Sequence, residues 1–269
     1  EQVWICPEDI PEISKKRSMF CLVGTAVSGT CLMIASLVIC CVYKARGTTE
    51  KIILHLNMML FFAHISHLVN SICTFNGALC QAMTAVRHLL WLIVFGWTTV
   101  LAWDMKRIIG QADDQCPNMV LKYAGCVWCI SSIIVGSCLT FSLLYYQIYG
   151  SYLLCWFSND TAFLASFAGP FTIYFSMTTV IFVKTKLMMR NCVNDEQERV
   201  EDNSIYFFVV LLIGINGIIQ STATLTSNAL LWHIFDIQNG LEGVFLLLVV
   251  ITRKRLICAV RMNIMTCGN

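Results

Sequence analysis

Seven long apolar runs dominate this sequence and constrain its fold more than any other feature. They cover residues 19–43, 52–79, 80–109, 121–146, 161–187, 205–225 and 235–250. A helix that crosses a membrane needs about 20 apolar residues. Each run is longer than 15 residues and does not alternate apolar with polar residues, which favours helices over the strands of a membrane barrel. We therefore predict an all-α membrane protein, a seven-transmembrane helix bundle.

The composition agrees with lipid as the main surrounding medium. Apolar residues make up 57% of the chain and charged residues 13%, against about 45–50% and about 25% in soluble domains. The net charge of +2 is too small to indicate nucleic acid binding. Membrane lipid is therefore an expected partner, nucleic acid is not, and the sequence predicts no cofactor.

Lysine and arginine are distributed unevenly over the two sides of the predicted bundle. Fourteen of the 18 lie in the first, third and fifth connections or in the C-terminal tail. The other four are Lys15, Lys16 and Arg17 before the first run and Arg87 in the third. Because short cytoplasmic loops are enriched in these residues, we predict an N-terminus outside the cell and a C-terminus in the cytosol.

This orientation divides the chain into three parts. Residues 1–18 are predicted to be an extracellular juxtamembrane segment, the end of a truncated ectodomain. Residues 19–252 form the seven-transmembrane domain, and residues 253–269 begin a cytosolic tail with a short helix parallel to the membrane. Cys258 in this tail follows a basic cluster, a pattern that favours reversible palmitoylation.

Two of the 15 cysteines fall on the predicted outer face. Cys80 begins the third run and Cys155 precedes the fifth. Both would lie in an oxidising compartment, where a bond between them would hold the loop before the fifth helix over the bundle. The triplet Asn-Asp-Thr that begins at Asn159 is a glycosylation acceptor on the same side. The cysteines within the apolar runs, Cys21 among them, are predicted to pack as small hydrophobic side chains.

Short motifs follow one another in a fixed order along the helices. They are "KIILHLN" with His55, Cys80 followed by His88, Phe95 and Trp97, then Trp103-Asp104-Met105, "CWF" at Cys155, "FAGP" ending at Pro170, and "NGLEGVF" from Asn239. Together they resemble the secretin and adhesion branch of the G-protein-coupled receptors, and most closely its methuselah-like members. The resemblance extends over residues 51–258.

The resemblance implies a plasma-membrane receptor without catalytic chemistry and with a Cys80–Cys155 disulfide. An unknown extracellular ligand, or the protein's own N-terminal ectodomain, would favour one packing of the helices. The inner ends would then open to a heterotrimeric G protein, which basic residues would contact. These predicted contacts are Lys44, Arg46, Lys106, Arg107, Lys184, Lys186, Arg253, Lys254 and Arg255.

The resemblance also implies a ligand pocket in the outer half of the bundle and a switch below it. The predicted pocket residues are Arg87, His88, Trp91, Phe157, Phe167, Asn239 and Glu242. The predicted switch and kink residues are His55, Trp97, Asp104, Pro170, Gly214 and Asn216. Polar groups inside a membrane helix need partners. We therefore hypothesise an Arg87–Glu242 ion pair and a bond from Asp104 to Lys106 or Arg107.

The chain departs from the family pattern at the switch itself. Leu101 stands where secretin-type receptors have a glutamate in the third helix, and residues 214–217 lack the usual tryptophan of the sixth. Glu242 replaces the glutamine of the seventh-helix motif. These departures predict a switch that lacks the usual polar lock.

Two other classes of protein stay open at this stage. A transporter or channel would show an internal repeat or charged residues along the membrane midplane, and neither is evident. An intramembrane metal hydrolase would need three or more converging ligands. His64 and His67 could contribute to such a set with His88 and Glu242, but a hydrogen-bonded pair of histidines without a metal is the favoured interpretation.

Overall fold

Seven helices make up the fold in the computed structural model, which describes residues 10–41, 47–72, 77–110, 118–144, 148–150, 155–191, 197–226 and 228–252. The first four are α1 (Ile10–Cys41), α2 (Thr48–Ile72), α3 (Gly77–Ile109) and α4 (Met119–Leu144). The fifth, α5, joins an α-helical turn (Asp160–Phe163), a π-helical segment (Leu164–Ala168) and an α-helix (Gly169–Asn191). The last two are α6 (Gln197–Thr226) and α7 (Ala229–Thr252).

Each of the seven helices is long and apolar enough to cross a bilayer. The predicted seven-helix membrane bundle is therefore confirmed. Many leucine, isoleucine and valine side chains on the outside of the bundle are exposed, among them Ile133 and Leu241. Such a surface suits lipid, which accepts apolar side chains as readily as a protein core does.

Several helix boundaries differ from those predicted from apolarity. The predicted break at residues 79 and 80 is wrong, since α2 ends at Ile72 and α3 already begins at Gly77. Gly77 has a φ of +57°, a left-handed conformation that glycine adopts without steric cost. α1, α6 and α7 also begin before their apolar runs do. Apolarity marks the part of a helix that lies in lipid, whereas backbone hydrogen bonding continues the helix beyond it.

α3 lies at the centre of the bundle, and α4 lies at its edge. α3 packs against α2, α4, α5 and α6, while α7 packs against α1 and α6. α3 is the most buried of the seven spans and α4 the least. The two ends of the bundle are named here by their chemistry. The disulfide end holds Cys80 and Cys155, and the basic end holds Lys106 and Arg107.

α1 and α7 approach each other closely through glycine. A Cβ added to Gly240 would lie 2.9 Å from the Cα of Gly24. One turn further along, a Cβ on Gly243 would overlap the backbone of Ser28. Small residues permit such backbone contact between membrane helices, where dispersion forces and interhelical hydrogen bonds drive association. This contact sets the register of α7 along α1, and with it the positions of the polar side chains described below.

Replacing Gly240 by alanine should destabilise the bundle by about 1 to 3 kcal/mol, the usual cost of overpacking a core. The added Cβ would force α1 and α7 apart. The measurement is the thermal unfolding midpoint of the purified chain in detergent. Gly136→Ala on α4 is the matched control, because a Cβ there meets nothing within 4 Å. Equal midpoints for the two variants would contradict the close contact.

Candidate functional site

A cluster of buried polar side chains joins four helices in the middle of the bundle. It consists of Ser28 on α1, His64 on α2, Asn216 on α6, and Asn239 and Glu242 on α7, and it is called the central polar cluster here. Each of these residues is at most 2% exposed. Polar groups at this depth are costly unless they find partners, so the cluster requires these four helices to meet.

One line of hydrogen bonds runs through Ser28 and His64 to Glu242. The backbone N–H of Gly243 donates to Ser28 Oγ over 3.0 Å, and Ser28 Oγ lies 2.9 Å from His64 Nδ1. His64 Nε2 lies 3.2 Å from Glu242 Oε2. If the Ser28 hydroxyl donates to Nδ1, then Nε2 carries the proton and donates to the carboxylate. This order gives each of these atoms a suitable partner and a neutral imidazole.

Asn216 connects α6 to the same carboxylate. Its Nδ2 donates to Asn239 Oδ1 over 2.7 Å and to Glu242 Oε2 over 3.1 Å. Glu242 Oε1 and Asn216 Oδ1 are buried without a hydrogen-bond partner among the described residues. A partly satisfied polar network favours rearrangement, because another packing of the helices could pair these atoms.

Ser28, His64 and Glu242 have the order of a nucleophile, a base and an orienting acid. The surroundings do not suit catalysis, since Ser28 is fully buried and its oxygen already accepts the N–H of Gly243. The set of ligands considered for a metal hydrolase does not converge either. His64 bonds to Glu242, whereas His67 bonds to Asp236 over 3.1 Å. The sequence favoured a hydrogen bond between the two histidines, and this prediction is wrong. Each histidine bonds instead to an acidic residue on α7.

The hypothesised ion pair between Arg87 and Glu242 does not form. Glu242 is engaged by His64 and Asn216. The Arg87 guanidinium instead lies over the ring of Trp156, 4.4 Å from its centroid, and the residue is 3% exposed. A cation over an aromatic face is stabilised by the ring's quadrupole. Arg87 therefore belongs to the disulfide end and not to the central polar cluster.

The loop before α5 closes the disulfide end of the bundle. A disulfide joins Cys155 to Cys80 on α3, with their Cα atoms 5.1 Å apart. Asn70 of α2 donates to the Cys155 carbonyl over 3.2 Å. The Trp156 indole N–H donates to Thr224 Oγ1 of α6 over 3.3 Å. The loop is thus attached to α2, α3 and α6.

Aromatic rings fill the space beneath this loop. Tyr149, Trp156, Phe157, Phe163 and Phe167 form what is called the aromatic cap here. The centroids of Phe157, Phe163 and Phe167 are 5.3–6.4 Å apart, within the range of favourable ring contacts. The predicted pocket residues Phe157 and Phe167 are thus packed side chains in this structure. All seven predicted pocket residues are buried.

His88 links the aromatic cap to the bend in α5. Its Nε2 lies 3.0 Å from the backbone carbonyl of Ser166, and its Nδ1 lies 2.9 Å from the Tyr149 hydroxyl. A carbonyl only accepts, so Nε2 carries the proton and Tyr149 donates to Nδ1. Burial raises the pKa of the Tyr149 phenol far above its ordinary value, which keeps this donor protonated.

The bend explains why the Ser166 carbonyl is available. Pro170 lies four residues after Ser166 and has no N–H to donate to it. A π-helical segment, Leu164–Ala168, precedes the proline, and π-segments often mark functional positions in helices. The sequence predicted Pro170 as the kink residue but did not indicate that His88 would bond to the freed carbonyl.

The predicted switch residues are brought together only in part. The His55 ring stacks on Trp97 with centroids 4.9 Å apart, and its Nδ1 bonds to the Lys51 carbonyl in its own helix. Leu101 is buried nearby and lines an apolar cavity with Ile53. Asn216 lies instead in the central polar cluster. The polar switch implied for His55 is therefore a ring stack here, because Leu101 offers it no hydrogen-bond acceptor.

Gly214 has a packing role on α6. A Cβ at this position would overlap the ring of Phe175 on α5, as a Cβ at Gly217 would overlap that of Phe171. These rings are parallel, with centroids 5.8 Å apart. Gly217 thus stands in the place of the usual tryptophan and receives the Phe171 ring from α5.

Asp104 ties α3 to α2 at the basic end. Its Oδ1 lies 3.0 Å from Arg107 Nη2, and its Oδ2 accepts the Thr49 hydroxyl over 2.7 Å. The structure therefore contains the hypothesised bond to Arg107. Lys106 points elsewhere, and its Nζ lies 5.0 Å from the centroid of the Trp103 ring.

Four of the predicted G-protein contacts lie within the described residues. Lys184 and Lys186 on α5 are exposed, and Lys106 and Arg107 are half-buried. The other predicted positions fall outside the described residues, as does the lipidation candidate. They are Lys44, Arg46, Arg253, Lys254, Arg255 and Cys258.

Sequence reasoning missed Ser28 and Asp236, and it grouped Glu242 with the histidines only as a possible metal ligand. Ser28 follows Gly24 by four residues and Cys21 by seven, a spacing that puts all three on one face of a helix. That spacing could have suggested a common neighbour. Nothing in the sequence indicates that the neighbour is α7, which is more than 200 residues away along the chain.

Seven membrane spans, a loop held to the third helix by a disulfide, and a buried polar cluster across four helices together define a seven-transmembrane receptor. The chain belongs to the family described as "7 transmembrane receptor (Secretin family)", whose profile matches residues 15–246. That family consists of receptors and not of enzymes. The seven apolar helices of the chain, together with its relatives, indicate that it is a multi-pass protein of the plasma membrane.

Individual relatives are adhesion receptors of low sequence identity. The chain is 24% identical to Adhesion G protein-coupled receptor E3 of Homo sapiens over 241 residues, 84% of this chain and 36% of that protein. It is 26% identical to Cadherin EGF LAG seven-pass G-type receptor 1 of Homo sapiens over 229 residues, 84% of this chain and 8% of that protein. It is 23% identical to Adhesion G protein-coupled receptor E2 of Homo sapiens over 252 residues, 90% of this chain and 30% of that protein. The chain thus spans between 8% and 36% of the length of these relatives.

Tyr149→Phe should lower stability by about 1 to 3 kcal/mol, because it leaves His88 Nδ1 buried without a donor. The thermal unfolding midpoint in detergent measures this effect. Tyr174→Phe, which removes the hydroxyl of a half-buried tyrosine outside the aromatic cap, is the control and should change the midpoint less. A larger loss in the control than in Tyr149→Phe would contradict the role of the His88–Tyr149 bond.

Proposed function

We propose that this chain is the transducing domain of a receptor that couples to heterotrimeric G proteins. The observation that carries the proposal is the hydrogen bonding of Asn216 on α6 to Asn239 and Glu242 on α7. A ligand changes an equilibrium between two helix packings only if it binds them with different affinity. The central polar cluster offers a two-state element, because its unpaired buried atoms could find partners in a second packing.

The proposed input is at the disulfide end and the proposed output at the basic end. An extracellular ligand, or an ectodomain attached to the N-terminus, would act on the aromatic cap. Trp91 would pass movement of the aromatic cap on to the central polar cluster, because its ring lies near the rings of both Phe95 and His64. At the basic end, Ile39, Leu101 and Tyr206 line a small apolar cavity, which a G-protein segment would enter only after the ends of the helices move apart.

Basic side chains at the basic end support the choice of partner. Lys184 and Lys186 are exposed on α5, and charges at a rim steer association with an oppositely charged surface. The motif Trp103-Asp104-Met105 supports a place in the methuselah-like branch. This motif lies at the basic end, where Asp104 holds α3 to α2 through Thr49.

Asn216→Leu should raise basal nucleotide exchange on a G protein several-fold. The change removes both bonds from α6 to α7 while keeping a side chain of similar size, so α6 is released from the packing described here. The assay measures exchange on purified G proteins of each class by the chain in lipid nanodiscs. A shift of about 1.4 kcal/mol in the helix equilibrium would change its constant about tenfold.

Thr222→Leu is the matched control, since Thr222 lies on the exposed face of α6 and its hydroxyl bonds only within its own helix. Its basal exchange should equal that of the wild type. If neither the wild type nor Asn216→Leu stimulated any G-protein class above empty nanodiscs, the proposed coupling would be wrong. If nucleotide exchange rose equally in Asn216→Leu and Thr222→Leu, the proposed role of the central polar cluster would be wrong.

Glycosylation at Asn159 tests the proposed orientation. The triplet at Asn159 is the only Asn-x-Ser/Thr acceptor in the sequence. Asn159 Oδ1 caps α5 by accepting the Ala162 N–H over 2.9 Å, so Nδ2, which would carry a glycan, is not used by the cap. Expression in microsomes should give a glycosidase-sensitive band that Asn159→Gln abolishes and Asn203→Gln, the control, retains. An unglycosylated wild-type chain would contradict an outward-facing disulfide end.

A further inference from the structure

A second polar cluster lies nearer the disulfide end, on three of the same helices. It consists of Cys21 on α1, His67 on α2 and Asp236 on α7, and it is called the Cys–His–Asp cluster here. One ligand atom from each residue lies within 4.8 Å of the other two. All three residues are buried, at 2%, 3% and 2% exposure.

The close contact of α1 with α7 brings these residues together. Cys21 precedes Gly24 by three residues, and Asp236 precedes Gly240 by four, so each lies about one turn from the contact. His67 comes from α2, one turn after His64, which the central polar cluster already fixes. The Cys–His–Asp cluster is therefore held by the backbone packing of three helices and does not depend on a loop.

We propose that the Cys–His–Asp cluster binds one zinc ion. A thiolate, an imidazole and a carboxylate are all ligands of Zn²⁺, with bonds of about 2.0 to 2.3 Å. With a water molecule as the fourth ligand, the three protein ligand atoms around a tetrahedral ion lie about 3.3 to 3.7 Å apart. His67 Nε2 and Asp236 Oδ1 are 3.1 Å apart, and the sulfur of Cys21 lies within 4.8 Å of both atoms. Side-chain rotations that move the sulfur by about 1 Å bring it to a bonding position.

Charge selects the ion and makes its burial possible. Thiolate and carboxylate together cancel the charge of a divalent cation, so the loaded site is neutral in a region where an uncompensated charge is costly. The sulfur and imidazole ligands favour zinc over calcium or magnesium, which prefer oxygen. Binding requires the Cys21 thiolate and a His67 ring whose proton is on Nδ1 and not on Nε2. With the imidazole proton kept on Nδ1, uptake of zinc releases only the thiol proton.

The central polar cluster, with a similar arrangement of side chains, does not offer the same chemistry. There, Ser28 takes the place of Cys21, His64 that of His67 and Glu242 that of Asp236. The Ser28 oxygen is already engaged by the N–H of Gly243 and by His64, and a serine hydroxyl is a weak ligand for zinc. The central polar cluster is therefore stabilised by hydrogen bonds. In the Cys–His–Asp cluster the Cys21 sulfur lies 3.9 Å from Thr25 Oγ1, and a thiolate is a far stronger zinc ligand than a hydroxyl.

A bound zinc ion would join α7 to α1 and α2 near the disulfide end. Asp236 lies six residues from Glu242 on α7, less than two turns away. The ion would thus stabilise the packing in which Glu242 meets His64 and Asn216. The site lies close to the loop that covers the disulfide end, since Asn70, one turn from His67, contacts that loop, so zinc entering from this side would pass beneath the loop.

Cobalt titration of the purified chain in detergent tests the site. Co²⁺ replaces zinc and gives a near-ultraviolet thiolate-to-cobalt charge-transfer band, with visible bands of a tetrahedral ion. We expect one equivalent to bind and zinc to displace it. Cys21→Ser should abolish the charge-transfer band, and Asp236→Asn should weaken binding at least about tenfold. Zinc should also raise the thermal unfolding midpoint of the wild type but not that of Cys21→Ser.

Cys31→Ser and His55→Ala are the matched controls. Cys31 is a free cysteine on the same helix α1, and His55 lies on the same helix α2 as His67, at the far end from it. Both variants should keep the charge-transfer band. A band that survives Cys21→Ser, or one that Cys31→Ser abolishes, would overturn the proposal.

A measurement on the wild type guards against variants that fail to fold. Alkylation of Cys21, read by peptide mass spectrometry under slow local opening, should become slower with zinc than with magnesium. Alkylation of Cys31 should not change. Equal rates for Cys21 with the two metals would also overturn the zinc site. Each result is independent of G-protein coupling, so the two proposals fail separately.

Discussion

The packing of this receptor depends on a carboxylate buried within the membrane. Glu242 is 2% exposed, and an ionisable group at this depth is costly unless it finds partners. Its partners come from α2 and α6, and Ser28 of α1 holds the imidazole that reaches it. Four helices must therefore converge around one side chain, which restricts the bundle far more than apolar contacts with interchangeable partners would.

Glycine makes this convergence possible on one side of the bundle. α1 and α7 touch backbone to backbone at Gly24 and Gly240, and the N–H of Gly243 reaches the Ser28 hydroxyl. The same register produces two similar clusters at different depths. Each combines a cysteine or a serine of α1 with a histidine of α2 and an acidic residue of α7. A displacement of α7 along α1 would therefore disturb both clusters together.

The disulfide end is organised by aromatic packing and by one missing hydrogen-bond donor. Pro170 leaves the Ser166 carbonyl available, His88 takes it, and Tyr149 satisfies the other nitrogen of that ring. Phe157 and Phe167 then pack against His88. The polar interactions under the loop are thus surrounded by rings, and hydrogen bonds in such a dry environment are stronger than in water.

The sequence by itself determined the number of helices and the class of the protein. Apolar runs of membrane length are sufficient for the first, and the motif around Cys80, His88 and Trp97 for the second. Tertiary structure alone decided the partners of the polar residues. Arg87 lies over Trp156 and not beside Glu242, and His64 and His67 each meet a different acid of α7. The partner of each polar residue depends on the register and rotation of neighbouring helices. Closely packed glycines, and backbone contacts between segments that are far apart along the chain, decide this register and rotation.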